Sequence, residues 1–145
     1  MAGVLLDTHA LYWLVSGEQA LANDALFAIG ESQAAGSLVV SPISAWELAV
    51  AARKNRAVDR PHFGNETPYK WFRDALVAVQ AKPVAIHQRI AIEAAKVVEY
   101  TGHKDPGDCF LIATARVRRV PLITRDAIII AIANDDPGYL TTIYC

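Results

Sequence analysis

Apolar positions along this chain keep two rhythms. The short runs Val4-Leu5-Leu6, Ser37-Leu38-Val39-Val40, Pro83-Val84-Ala85-Ile86, Pro121-Leu122-Ile123-Thr124 and Thr141-Thr142-Ile143-Tyr144 read as strands, the last at an edge. Between them, apolar residues recur at helical spacing. His9–Val15 runs up to a Ser16-Gly17 break, and Leu21, Ala25, Leu26 and Ile29 precede a stop at Gly30. After Ser41-Pro42, a helix over Ser44–Arg53 sets Ala45, Leu48, Ala49 and Ala52 on one stripe, with Glu47 opposite. Arg53 to Glu66 is polar and reads as a loop. Thr67-Pro68 opens a helix carrying Tyr69, Phe72, Leu76 and Val79; another runs through Ile90, Ala94 and Val97 to Thr101-Gly102. Behind Asp105-Pro106, Cys109–Ala115 is apolar nearly all round, the mark of a buried helix. Strand alternating with helix predicts an α/β protein, its sheet parallel and covered on both faces, with ligands beyond the carboxyl ends of the strands.

Composition supports a filled interior. The 145 residues fit one domain, residues 1–145, and with 53% hydrophobic against 20% charged residues and a mean hydropathy of +0.22 they exclude a disordered chain. A net charge of -1 provides no whole-molecule attraction for nucleic acid, so any such contact must be local. Cys109 and Cys145 lack CxxC spacing and zinc-type histidine partners, which argues against a disulfide framework or zinc site. No apolar run reaches membrane-spanning length, and the opening residues lack the basic start and long apolar region of a signal peptide. A cytoplasmic protein with no membrane partner is the expectation.

Acidic residues carry the candidate chemistry. Asp7, Glu47, Asp108 and Asp126 each sit where an apolar segment ends or a helix begins, and Asp105 stands one turn before Asp108. Each has an ordinary structural explanation. Asp7 suits a helix N-cap, Ser44-Ala45-Trp46-Glu47 matches a capping box, Asp105-Pro106-Gly107-Asp108 reads as cap, first-turn proline and acid, and Asp126 suits a turn. Their joint placement says more. Strand ends and helix starts share one edge of a parallel sheet, and Glu47 is the lone ionisable group between Ser37 and Ala52. Carboxylates gathered there require protons or a divalent cation, and hard oxygen donors favour Mg2+ or Mn2+ over zinc. Such a centre suits phosphodiester hydrolysis without a nucleophilic serine or cysteine. His9 is either a proton shuttle or structural; His103, beside Lys104, is either a phosphate contact or a solvated loop residue.

These segments, in this order, resemble the PIN-domain ribonucleases, and more narrowly the VapC-type toxins of toxin-antitoxin pairs. The resemblance rests on Leu5-Leu6-Asp7-Thr8-His9-Ala10-Leu11, Ser41-Pro42-Ile43-Ser44-Ala45-Trp46-Glu47, His103-Lys104-Asp105-Pro106-Gly107-Asp108 with Leu111–Ala115, and Pro121–Asp126. It implies a three-layer α/β/α fold with a five-stranded parallel sheet, dependence on Mg2+ or Mn2+, and cleavage of RNA. Asp7, Glu47, Asp108 and Asp126 match the family's acidic quartet. Asp7 and Asp108 are the expected direct ligands, Glu47 and Asp126 complete the site, and Asp105 matches an additional acid. Gly107 and Cys109 depart from the larger apolar and basic residues often found around the third acid. Thr8 and Thr124 adjoin acids and are candidates for orienting them.

For substrate, the densest basic run, Arg53, Lys54, Arg56 and Arg60, is a candidate phosphate contact or a solvated loop, and Arg116, Arg118 and Arg119 pose the same choice. Single-stranded or looped RNA is the expected target. Tyr12, Trp13, Leu14 and Trp46 are either core or a groove for the antitoxin that the resemblance implies, together with homodimerisation. Two alternatives remain at this level: a hydrolase of DNA or small phosphoesters, and a noncatalytic interaction module on the same fold.

Overall fold

A computed structural model describes residues 3–145; the reading of the opening at residues 1 and 2 lies outside the described residues. The strands are β1 (Val4–Leu6), β2 (Leu38–Val40), β3 (Lys82–Pro83), β4 (Leu122–Thr124) and β5 (Thr142–Tyr144). They form a wholly parallel sheet in the order β3-β2-β1-β4-β5. Seven helices connect them: α1 (Thr8–Ser16), α2 (Asn23–Ala35), α3 (Ile43–Ala51), α4 (Pro68–Val79), α5 (Gln88–Thr101), α6 (Pro106–Arg118) and α7 (Ala127–Asp135).

Strand alternation sorts the core into two layers. Val4, Leu6, Leu38, Val40 and Ile123 face α1 to α4, meeting Leu11, Ile29, Leu48 and Phe72. Leu5, Val39 and Leu122 face the other way, onto Ile90 and Val97 of α5, Leu111 and Ile112 of α6, and Ile129 of α7. The three central strands are buried throughout, which is why their sequence shows runs instead of alternation. The expected three-layer α/β/α sandwich is therefore observed.

Four local expectations differ. Helix α2 passes through Gly30, whose flank is open, and stops instead at Gly36, where φ is +68° and the backbone N–H reaches the Ser32 and Gln33 carbonyls. An exposed mid-helix glycine costs only about 1 kcal/mol, which the buried Ala25, Ile29 and Ser32 offset. Strand β3 is Lys82–Pro83, not Pro83–Ile86; its partners are Val39 and Val40, and proline without an N–H belongs at such an edge. In α4 the inward positions are Phe72, Ala75 and Val79, while Tyr69 in the first turn is exposed. Helix α7 has no helical rhythm in the sequence, because its Ile-rich start is apolar all round; the Asp126 cap and buried Ile129 and Ala133 make it helical. The loop from Arg53 to Glu66 contains one 3-10 turn, Ala57–Asp59. It is tied to α1 by the His62 N–H, which donates to the Tyr12 hydroxyl at 2.7 Å.

A candidate metal centre at the carboxyl edge of the sheet

Sheet order explains why the acids meet. From β1 the chain builds outward to β2 and β3, then crosses back to lay β4 against the other side of β1. Connections leave β1 and β4 in opposite directions, which opens a crevice beyond their carboxyl ends. Asp7 directly follows β1 and Asp126 lies two residues past β4. Helix α6 runs back antiparallel to the strands, so its start brings Asp105 and Asp108 to the same edge, and α3 brings Glu47. Asp7, Glu47, Asp105, Asp108 and Asp126 all line one cleft of about 420 Å³ with Thr8, His9, Trp13 and Arg125.

Three of these acids also cap helices. An Asp7 oxygen accepts the Ala10 N–H at 2.7 Å, Asp105 accepts that of Asp108 at 2.9 Å, and Asp126 accepts those of Ile128 and Ile129 at 2.9 and 3.0 Å. Each bond uses Oδ1, so capping and cation binding are compatible roles for one carboxylate. Asp126 thus caps α7 and does more than close a turn. Glu47, by contrast, is not part of a capping box. Pro42 occupies the cap of α3, without a side-chain bond, while Ser44 is buried and hydrogen-bonded to the Thr8 hydroxyl at 2.9 Å. The same Thr8 hydroxyl donates to Glu47 Oε1 at 2.5 Å. The side chain that resembled a cap partner is instead held toward the crevice from α1.

Burial first, and charge repulsion after it, raises the proton affinity of three of these acids. Burial holds Asp7 above the usual carboxylate range, opposed by the Thr124 hydroxyl and the Ala10 amide and reinforced by Asp108. Glu47 is pushed up to about 6, first by burial, with Asp108, Asp105 and Asp7 adding to the rise and Thr8 opposing it. Asp108 is raised by burial and by Asp105 and Asp126, against the pull of His103. Oxygens of Glu47, Asp105 and Asp108 lie within 4.8 Å of one another, close enough to share a cation. Carboxylates crowded around a solvent-open cleft, with more negative charge than their neighbours offset, fit a divalent ion with oxygen preference.

Several neighbours carry more than the sequence assigned to them. His103 is neither solvated nor aimed at open solution: its Nε2 lies 2.7 Å from Asp108 Oδ2, and the Cys109 thiol donates to its carbonyl. Gly107 and Cys109, the departures from the resemblance, have local reasons. A Cβ on Gly107 would lie 2.3 Å from Glu47 Oε2, so glycine is what lets α6 approach that carboxylate. Arg125, unassigned from sequence, lines the crevice with its guanidinium 4.5 Å from the Trp13 ring centroid and bonded to the Ala20 and Cys145 carbonyls. Its place between an apolar strand and Asp126 was the available signal. Thr124 is buried, and its hydroxyl accepts the Asp126 N–H at 3.0 Å. His9 is exposed and tilted against Trp13 at 5.3 Å.

The basic loop divides. Lys54 and Arg60 line a groove of about 500 Å³ that runs from Tyr12, Trp13 and Trp46 to Glu47 and Asp105. Arg53 is exposed, and Arg56 reaches Asp59 at 3.9 Å. Tyr12 is core, whereas Trp46 is exposed, so the aromatic set is split between interior and groove.

Fold and crevice together define an α/β domain with an acidic site able to take a divalent cation. A family model described as PIN domain matches residues 4–135, and the chain belongs to the PIN-domain family, a family of nucleases. Among solved structures, a toxin-antitoxin complex from Klebsiella pneumoniae is 24% identical, covering 97% of this chain and 96% of that one, with a TM-score of 0.59. VapBC-5 from Mycobacterium tuberculosis is 18% identical with complete coverage of both chains and a TM-score of 0.61. VapBC2 from Rickettsia felis, bound to a DNA fragment from its promoter, is 10% identical with 98% coverage of each chain and a TM-score of 0.65. No curated protein sequence matches the chain.

Proposed function

We propose that this protein is a Mg2+- or Mn2+-dependent endoribonuclease and the toxin of a VapBC-type pair. The observation that carries the reading is the convergence of Asp7, Glu47, Asp105, Asp108 and Asp126 on the crevice between β1 and β4. PIN membership supports hydrolysis of nucleic acid, and the toxin-antitoxin structures of like fold support the assignment to a paired system.

Asp7 and Asp108 are the proposed direct ligands, with Glu47 and Asp126 completing the site and Asp105 both capping α6 and adding negative charge. A bound divalent cation would lower the pKa of water and neutralise charge on the scissile phosphate. The chain's own contribution is orientation. Thr8 fixes Glu47 Oε1 while leaving Oε2 facing the cleft side occupied by Gly107, and His103 fixes Asp108 Oδ2. Glu47, held by Thr8 through one oxygen with the other turned to the cleft, is placed to complete the cation site and to orient an attacking water. Lys54 and Arg60, at the groove, supply positive charge for an RNA phosphate, with Arg53 and Arg56 along the same segment. That groove, with Trp13, Trp46 and Val50, is also the proposed seat of the antitoxin, which would occlude the acids. Homodimerisation belongs to the same reading and is measured by light scattering on the antitoxin-free chain.

Asp7→Asn is the appropriate test variant because asparagine preserves the N-cap acceptor while removing the charge. Antitoxin-free protein should cleave RNA only with Mg2+ or Mn2+, and Asp7→Asn should not. Cleavage that persists in chelator, or in the folded variant, would contradict the proposal.

A further inference from the structure

The opposite end of the sheet carries the reverse charge. Two clefts there share Val120 and are lined by the residues that lead into the strands: Gly3, Ser37, Pro121, Leu140 and Thr141. One measures about 750 Å³ and the other about 580 Å³. Arg89, Lys96, Arg116 and Arg119 line the first, Lys82 and Arg118 the second. Glu93 is the sole carboxylate among the described lining residues, and Arg116 neutralises it at 3.0 Å. In a chain of net charge -1, this is a strong local segregation.

Ordinary helix electrostatics account for part of the band. Arg116 and Arg118 lie in the last turn of α6, where cations complement the carbonyl end. Arg89 does not fit that account. It occupies the first turn of α5, the positive end, where a cation is unfavourable and where no side chain caps the helix. Lys82, on β3, lines the second cleft, and Lys96, two turns further along α5, lines the first. Arg89 thus stands against local electrostatic preference, and it joins cations from α6, β3 and further along α5 on one face, as a surface for a polyanion requires.

We infer that this amino-end band binds the phosphodiester backbone of an RNA strand at a second contact remote from the acid crevice. The inference takes its choice of RNA from the proposed ribonuclease function. It is a backbone contact and not a base reader. Tyr139, the aromatic ring in the larger cleft, has the Arg116 guanidinium 3.8 Å from its centroid and Tyr100 stacked at 4.6 Å, so its faces are already engaged. Exposed Arg89, Lys96 and Arg119 remain available for phosphate, while Arg116 is committed to Glu93 and the Tyr139 carbonyl. Contacts of this kind bind any sequence and weaken with salt.

The test compares the full antitoxin-free chain with an Arg89→Ala, Lys96→Ala, Arg119→Ala triple variant. Fluorescence anisotropy of labelled poly(U) in chelator reads binding without cleavage. The triple variant should bind about tenfold more weakly at low salt, and its log K against log salt slope should be shallower by about 2, the amount for three single-strand phosphate contacts. A triple variant folded by circular dichroism that binds within twofold of the parent with the same slope would overturn the inference. So would tighter binding of duplex DNA or poly-glutamate than of poly(U) by the parent. Because the readout needs no cleavage, it can succeed even if the ribonuclease reading fails, and the converse also holds.

Discussion

The two ends of one short sheet have opposite chemistry. At the carboxyl edge, Asp7, Glu47, Asp108 and Asp126 crowd together against their own repulsion; at the amino edge, Arg89 stands at the wrong end of a helix dipole among other cations. Neither arrangement is what stability alone selects. The carboxyl edge is buried enough to raise the acids' proton affinity, whereas the amino-edge cations are mostly exposed. Burial suits the first to an ion held at short range, and exposure suits the second to the proposed contact with a long, weakly held polyanion.

Substitutions should separate the two ends by the kinetic constant they move. Asp108→Asn should have the largest effect, lowering kcat by about 100- to 1000-fold, since it removes a charge from the proposed first contacts of the ion. Single-turnover cleavage at saturating RNA measures it. Gly107→Ala follows: the added Cβ cannot share space with the Glu47 carboxylate. Its Mn2+ affinity should fall by about 10- to 100-fold by calorimetry while the far-ultraviolet spectrum is kept. At the amino edge, the Arg89, Lys96, Arg119 triple variant should raise KM for long RNA several-fold, leaving kcat and the cleavage of short oligonucleotides unchanged.

The smallest effect is thermodynamic. The folded chain holds the Glu47 proton more tightly, at about 6 against an ordinary 4.5, and Asp7 and Asp108 shift in the same direction. Folded-state proton uptake then exceeds that of the unfolded chain between those values, so stability falls as pH rises through the window. For Glu47, discounted for its partial exposure, the loss is on the order of 1 kcal/mol. Metal-free protein should therefore gain stability to urea on acidification from pH 7 to 5, and the gain should be smaller in Glu47→Gln. Saturating Mn2+ at pH 7 should stabilise the parent by linkage, and an unchanged midpoint with Mn2+ would count against a site in this crevice.

Much of the carboxyl edge was legible in the sequence because strand ends and helix starts are punctuated by residue type. Asp7 after Leu5-Leu6 and Asp105 before Pro106 mark their positions locally, and parallel topology brings them together. Glu47 was legible as a candidate but misread in its bonding, because Ser-x-x-Glu is equally a capping box and a buried Ser44 beside a Glu held from another helix. Only the packing of α1 on α3 distinguishes them. Helix α7 was missed because its Ile-rich start has no helical rhythm without a partner surface. The amino-edge band was only partly legible: Arg116, Arg118 and Arg119 form a visible basic run, but Lys82, Arg89 and Lys96 are spaced through the chain with no motif, and only the shared position of strand beginnings joins them to it.

The most direct test of the central claim is Mn2+ titration calorimetry on antitoxin-free protein, paired with RNA cleavage by the same preparation. Saturable Mn2+ binding and metal-dependent cleavage are expected in the parent, both lost in folded Asp108→Asn and both retained in the amino-edge triple variant. Cleavage by Asp108→Asn at the parent's rate, or a parent that binds no divalent cation, would contradict it.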